Sequence, residues 1–337
     1  MRAFVITGAG AASVLDVEAP AAGPGQVVVD VERAGVCGTD AEFFSGEMAY
    51  LHTGQAHYPM RIGHEWCGTV SATGEGVGES WIGRRVTGDT MLGCGQCRRC
   101  RGGLQHVCDE RFEIGIRRGW PGALAEQLTV PETALHALPD AVDATAGALV
   151  EPGGNALRAV RAASLAPGDR MLVLGPGTIG LLVALFGRAE GADVHIVGRS
   201  ERSLAFAREL GFAATSSGEA PPGGPFDAVV DASDDPALPA LALDLVEPGK
   251  RVVYIGLAGT PSTIDTRTLA LKDVTAVGIL SGSPGLAEAI DGYASGAVDP
   301  RPLVAATVGL AGVAEVLAGG RPSGAGPGPK IHVDPRI

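Results

Sequence analysis

Cys37, His64, Glu65 and Glu151 are the side chains with which this sequence could hold a reactive metal ion. Cys37 opens the run Cys37-Gly38-Thr39-Asp40. His64 and Glu65 stand side by side in Gly63-His64-Glu65-Trp66-Cys67-Gly68, and Glu151 precedes Pro152. A thiolate, an imidazole and a carboxylate form a donor set for a zinc ion that keeps one position open to substrate. We expect Cys37, His64 and Glu151 as ligands. Glu65 is expected either as an exchangeable fourth ligand or as an electrostatic group beside the site. A zinc protease would need a second histidine four residues after His64, and Gly68 stands there instead. A lone His-Glu pair would read as structural; its weight here comes from Cys37, Glu151 and the cofactor motif further on.

A second cluster runs from Cys94 through Cys97 and Cys100 to Cys108, with the spacing C-x2-C-x2-C-x7-C. Four thiolates so spaced can close a tetrahedral zinc site within one loop, with no position left for substrate. This site is expected to be structural. An iron–sulfur cluster is the rival, but the bacterial ferredoxin run places its fourth cysteine three residues on, followed by proline. Here the gap is seven residues and Asp109 follows. Unmetallated thiols are the remaining reading. Arg98, Arg99 and Arg101 would offset thiolate charge. Cys67 has no partner and reads as a small buried hydrophobe.

The third chemical signal is Gly175-Pro176-Gly177-Thr178-Ile179-Gly180. It follows a short apolar strand over 171–174 and precedes a helix over 181–189 and a strand over 194–197. Inside such a unit, Gly175 permits the tight turn, Gly177 the close approach of a pyrophosphate, and Gly180 the packing of helix on strand. The helix N-terminus then favours the phosphate charge. NAD sites carry an acid at the end of the second strand to bind the ribose 2′-hydroxyl. This chain has Gly198-Arg199-Ser200-Glu201-Arg202 there. Loss of the carboxylate and gain of Arg199 and Ser200, with Arg202 in support, suit a 2′-phosphate, so NADP(H) is expected over NAD(H). Asp231-Ala232-Ser233 and Gly256-Leu257, at strand ends, are weaker candidate cofactor contacts.

These groups need elements to position them. Strands are expected over 1–7 and 27–31 around a Pro/Gly turn at 19–26, which puts Cys37 just past a strand end. Residues 43–59, with Tyr50, His52 and His57, read as a loop that either walls a substrate pocket or lies on the surface. A turn and strand cover 119–131. A helix is expected over 156–163, with a domain boundary near Pro152. Asn155 is either a substrate contact or a helix N-cap. Strands over 228–231, 251–255 and 275–278, a helix over 237–246 and a connector at 216–225 complete a doubly wound parallel sheet. A helix over 286–295, a Gly/Pro-rich loop over 319–329 and a last strand over 330–333 follow. No internal repeat is visible.

The chain of 337 residues is long enough for two domains. With 45% hydrophobic and 19% charged residues it is a globular sequence, not a disordered one. Aromatic residues are only 4%, so the core must rest on Val, Leu, Ile and Ala. A net charge of −12 argues against a non-specific grip on nucleic acid and reads as solubility. The most apolar run, 171–186, is broken by Gly175, Pro176, Gly177 and Gly180, so no membrane span is expected. No signal peptide is visible, and a cytoplasmic location is expected.

Taken in order, these motifs resemble the zinc-containing medium-chain dehydrogenase/reductase family over nearly the whole chain. The resemblance implies a GroES-like, β-rich catalytic domain over 1–152 and 282–337, with a zinc lobe at 93–109, and a Rossmann domain over 153–281. It implies one catalytic and one structural zinc per chain, and a homodimer or homotetramer. It further implies that the Thr39 hydroxyl relays a proton and that Asp40 orients His64. Glu151, where classical alcohol dehydrogenases carry cysteine, is similar to the polyol, sugar and threonine dehydrogenase branch. The segment from Glu151 to Ala156 and the cysteine lobe are similar to threonine dehydrogenases, and Gly63-His64-Glu65-Trp66 to cyclitol dehydrogenases. Gly198-Arg199 departs from the NAD-using threonine enzymes, and Gly153 replaces a bulkier residue. The expected activity is hydride transfer between NADP(H) and a secondary alcohol, or matching ketone, of a polyol, sugar or cyclitol. The alternatives are a threonine-type dehydrogenase, a zinc-independent quinone or enoyl reductase, and an NADPH-binding sensor.

Overall fold

Met171-Leu172-Val173-Leu174 is apolar on both faces, and all four residues are fully buried. Such a strand needs cover on both sides, which parallel sheets with crossover helices supply. The computed structural model, which describes residues 1–219 and 221–337, shows this arrangement. Six parallel strands lie in the order Ala213–Ser216, Asp193–Gly198, Arg170–Leu174, Phe226–Asp231, Val246–Tyr254, Thr275–Gly278. The order reverses direction between Arg170–Leu174 and Phe226–Asp231, the switch point at which such sheets bind ligands. The helix Thr178–Ala189 buries every residue from Gly180 to Gly187. Each large apolar side chain among them contributes about 1.5–3 kcal/mol on burial, so packing fixes this helix more than propensity does.

The other half is a seven-stranded sheet. Its path runs Val304–Val308, Lys330–Val333, Gln26–Gly35, Glu65–Thr73, Arg85–Gly88, Leu135–Ala137, with Gln127–Pro131 also paired to Gln26–Gly35. Only Val304–Val308 and Lys330–Val333 pair in parallel; the rest are antiparallel. Gly35 is the register partner of both Glu65 and His332. The C-terminal strand is thus laid beside the segment that carries Cys37. Phe4, Ile6, Val29, Trp66 and Leu128 fill this half's core. The helix Leu286–Ala294 instead buries Leu286, Ala289, Ile290 and Tyr293 with the core of the parallel-sheet half.

Several elements differ from the sequence expectation. The helix expected over 156–163 is Val150–Ala163 and runs through Pro152. Proline is tolerated there because the first turn has no intrahelical partner for its N–H. Asn155 is therefore inside the helix and cannot be its N-cap. Residues 43–59 are not a plain loop: the helix Gly38–Ser45 ends within them and Ala49–His52 forms a helical turn. The strands Ala11–Asp16, Glu65–Thr73, Arg85–Gly88, Ala213–Ser216 and Val304–Val308 were not anticipated. Within the expected connector at 216–225, Ala220 lies outside the described residues. Among the described residues no helix is long and apolar enough to cross a membrane.

Candidate active site and cofactor cleft

Cys37 stands at the N-terminus of the helix Gly38–Ser45, directly after the strand Gln26–Gly35. Asp40 pins that corner. It is fully buried, and its Oδ2 accepts from the Cys37 backbone N–H at 2.9 Å while its Oδ1 accepts from Gly63 N–H at 3.2 Å. Asp40 Oδ1 also faces His64 Nδ1 at 3.6 Å. His64 lies just before the strand Glu65–Thr73 and is buried. Ligand atoms of Cys37, His64 and Glu65 lie within 4.8 Å of one another. Burial opposes a charge on His64, but Asp40 and Cys37 outweigh it and hold the imidazole well above its ordinary range. The pocket favours positive charge, which suits a thiolate–imidazole–carboxylate donor set that could hold zinc.

Glu151 is not in the three-residue set. It lines the same cleft from the first turn of its helix. Asn155 Nδ2 donates to Glu151 Oε1 at 2.9 Å and to its carbonyl at 3.0 Å. Burial, then the nearby charge of Glu65, raises Glu151 to about 7, against the opposing pull of His64. Glu65 is engaged otherwise. Lys330 Nζ donates to both its oxygens, at 2.8 and 2.7 Å, and to the Val36 carbonyl at 3.0 Å. A Cβ on Gly35 would fall 2.0 Å from Glu65 Oε2, so that carboxylate occupies space only a glycine leaves. Sequence reasoning missed Lys330. The available signal was a lone lysine opening the otherwise apolar strand Lys330–Val333.

The four lobe cysteines have sulfurs within 4.8 Å of one another. Cys94 and Cys100 sulfurs are 3.9 Å apart, and those of Cys97 and Cys108 are 3.8 Å apart. All are free thiols, not disulfides. A tetrahedral site with metal–sulfur bonds of about 2.3 Å has sulfur–sulfur edges of about 3.8 Å, so this arrangement fits zinc. Backbone N–H groups of Gln96 and Cys97 lower the Cys94 thiol to about 7.

The two halves enclose one cleft of about 1010 Å³. Cys37, Thr39, His64, Glu65 and Glu151 line one end; Gly175, Pro176, Gly177, Thr178, Ile179, Gly198, Arg199 and Ser200 line the other. Gly177 opens onto free space, room that a pyrophosphate could use, while a Cβ on Gly180 would strike the Gly175 carbonyl at 1.8 Å. The absence of a side chain at Gly198 has a second cause: a Cβ there would lie 2.6 Å from Pro176. Arg199 turns towards Asp234 and Asp235, at 3.0 and 3.6 Å. Ala232, Ser233, Gly256 and Leu257 line the cleft. Asp231 does not; its buried carboxylate accepts from Ser233 Oγ at 2.7 Å and serves the turn. Of the 43–59 segment, Ser45, Glu47, Met48 and Tyr50 reach the cleft, whereas His52 and His57 do not.

Comparison with known proteins agrees with this geometry. Residues 23–140 match the alcohol dehydrogenase GroES-like domain, and residues 178–295 the zinc-binding dehydrogenase domain. The 2-dehydro-3-deoxy-L-galactonate 5-dehydrogenase of Pseudoalteromonas atlantica is 31% identical over 89% of this chain and 90% of its own. The L-threonine 3-dehydrogenase of Saccharopolyspora erythraea is 32% identical over 83% of each chain. Two solved structures superpose over 99% of each chain with a TM-score of 0.89. One is the rspB alcohol dehydrogenase of Escherichia coli CFT073 with NADH, at 25% identity. The other is a Sinorhizobium meliloti 1021 protein assigned as a zinc-binding dehydrogenase, bound to NADP, at 28% identity. A GroES-like half, a Rossmann half and, between them, a cleft whose Cys37, His64 and Glu65 could hold a metal define a zinc-binding dehydrogenase. The chain belongs to the zinc-containing medium-chain dehydrogenase/reductase family, within the group that spans its sugar and threonine branches.

Proposed function

We propose that this protein transfers a hydride between NADP(H) and a secondary alcohol of a neutral polyol, sugar or cyclitol, with zinc held by Cys37, His64 and Glu151. The observation that carries this reading is the single cleft with the Cys37–His64–Glu65 set at one end and the Gly175–Gly180 turn at the other. Bound zinc would supply Lewis acidity to the substrate oxygen, and bound NADP⁺ would accept the hydride. The protein's part is positioning. Asp40 fixes Cys37 through its backbone and faces His64. Asn155 orients Glu151. Lys330 holds Glu65 as a charged group beside the site. Thr39, which lines the cleft, moves the hydroxyl proton outward.

The lining supports a neutral, hydroxyl-rich substrate. Glu42, Glu47, Tyr50, Glu113 and Asn155 offer hydrogen-bonding groups. Tyr50 O–H donates to Glu113 Oε1 at 3.3 Å, and Arg111 Nε to the same oxygen at 2.7 Å. The threonine relatives favour a second reading, a hydroxy-amino-acid dehydrogenase, in which Glu42 or Glu47 would bind the ammonium. That substrate's carboxylate would need a free cation. Among the described residues, the cations lining the cleft besides His64 are Lys330, paired with Glu65, and Arg199 at the cofactor end. We also propose a homo-oligomer, supported by the edge strand Thr275–Gly278, which exposes Thr275, Ala276 and Gly278.

The test is reduction of NADP⁺, with NAD⁺ in parallel, across polyols, sugars, cyclitols and hydroxy amino acids, before and after chelation. Chelator-sensitive turnover of a polyol, sugar or cyclitol with NADP⁺ is expected. Turnover of threonine alone would move the assignment to the second reading. A preference for NAD⁺ would remove the NADP(H) assignment.

A further inference from the structure

Beside the cofactor cleft lies a smaller cavity of about 120 Å³, lined among others by Pro176, Arg202, Ser203, Arg321 and Pro329. Pro176, Ser203 and Pro329 also line the main cleft, so the two spaces adjoin. Two arginines from distant parts of the chain line this space. Arg202 is in the first turn of the helix Glu201–Glu209 and exposed. Arg321 reaches in from the C-terminal segment, where its Nη2 donates to the Gly326 and Gly328 carbonyls. Its Nε is buried with no partner.

The acids of this corner are already paired. Asp234 and Asp235 take Arg199, and Glu201 takes Arg208 at 2.6 Å. Among the described residues none is left for Arg202. Two like charges lining a small cavity repel, and an anion placed between them relieves that repulsion. Ser200, the helix N-cap, makes no side-chain cap bond, so the first-turn N–H groups add to the positive field. Arg202 and Ser203 in its lining follow closely on the strand end Gly198, where a dinucleotide's adenosine ribose sits in this fold.

We propose that Arg202 and Arg321 form the 2′-phosphate subsite of the cofactor. The phosphate monoester is clamped between an arginine of the Rossmann half and one of the C-terminal segment. This rests on the NADP(H) reading above and changes which residues carry it: Arg199 is held by two aspartates, whereas Arg202 is free to pair. The clamp would make Arg321 a selector of NADP(H) over NAD(H), although it lies far from the nucleotide motif in sequence.

The experiment is calorimetric titration of the zinc-loaded full chain with 2′,5′-ADP, 5′-AMP and inorganic phosphate. Wild type, Arg202→Ala, Arg199→Ala and Arg321→Lys are compared. Arg321→Lys keeps the charge while removing the planar fork, and so guards against loss of the loop that Arg321 braces. Arg202→Ala should weaken 2′,5′-ADP at least about tenfold and leave 5′-AMP unchanged, with a smaller loss in Arg199→Ala. Arg321→Lys should retain part of the preference for 2′,5′-ADP over 5′-AMP. If wild type prefers 2′,5′-ADP and Arg202→Ala keeps that preference in full, the clamp is wrong while the NADP(H) reading stands. If wild type does not distinguish 2′,5′-ADP from 5′-AMP, the NADP(H) reading fails and the clamp with it. Phosphate binding that responds to Arg202→Ala without any such preference would leave an anion site but overturn its assignment to the cofactor.

Discussion

Lys330 and Glu65 are both almost fully buried, at 4% and 2% exposure, and each is the other's main partner. Removing one charge from such a pair strands the other in a poorly solvated site, at a cost of about 3–5 kcal/mol. Lys330→Met is therefore expected to destabilise the protein by about that amount in urea denaturation. Lys330→Met combined with Glu65→Gln should recover most of the loss. A loss below about 1 kcal/mol in the single variant would show that Glu65 finds another partner, and the bridge would lose its importance here. The pair also bears on the metal. Lys330 takes one acceptor position on each oxygen of Glu65 and holds that carboxylate beside Cys37 and His64.

The cysteine lobe is a local element with its own closure. Its four thiols come from residues 94–108, which are also held together by short contacts such as Cys97 Sγ accepting from Cys100 N–H at 3.4 Å. It joins the rest through Asp89, which takes Gln105 Nε2 at 3.2 Å on one oxygen and Ser283 Oγ at 2.5 Å on the other. Asp89 thus links the lobe to the segment that leads out of the parallel sheet. Replacing Cys100 with serine removes a soft ligand that zinc prefers. The variant is expected to bind one zinc equivalent fewer than wild type and to lose amide-exchange protection across residues 94–108. The strands Arg170–Leu174 and Phe226–Asp231 should keep theirs. Equal zinc content in the two proteins would argue against the structural zinc site.

Acid stability belongs to the whole molecule. His332 is fully buried in the sheet next to Gly35, and neither ring nitrogen has a hydrogen-bond partner. Burial, with Lys330 and Arg33 adding to it, pushes its pKa from the ordinary 6.5 down to about 3. Between those values the unfolded chain takes up a proton that the folded chain refuses. Stability therefore falls as the pH drops from about 6.5 towards about 3, over and above the loss from paired carboxylates. His332→Leu removes this term without leaving a large cavity. We expect its acid-unfolding midpoint, followed by circular dichroism, to move to lower pH. Stability at pH 7 should stay within about 1 kcal/mol of wild type or rise, because an unpartnered polar group has been replaced. An unchanged midpoint would mean that His332 makes no net contribution.

The chemistry of this protein was legible in its sequence wherever the determinants are local. The four lobe cysteines fall within fifteen residues, the Gly175–Gly180 turn sits between a strand and its helix, and Cys37 and His64 each lie beside residues that position them. The centre of the parallel sheet was readable because strands such as Arg170–Leu174 and Phe226–Asp231 are largely apolar, and burial on both faces demands that composition. What the sequence could not show were pairings between distant segments. Lys330 reaches Glu65 across 265 positions because two strands share Gly35 as a register partner. Arg321 meets Arg202 only because the C-terminal segment folds back over the cofactor cleft. Arg199, at the cleft, pairs with Asp234 and Asp235 because the strand Phe226–Asp231, two places away in the sheet, ends close by. Local spacing selected the ligands; the fold of the whole chain decided which charges they meet.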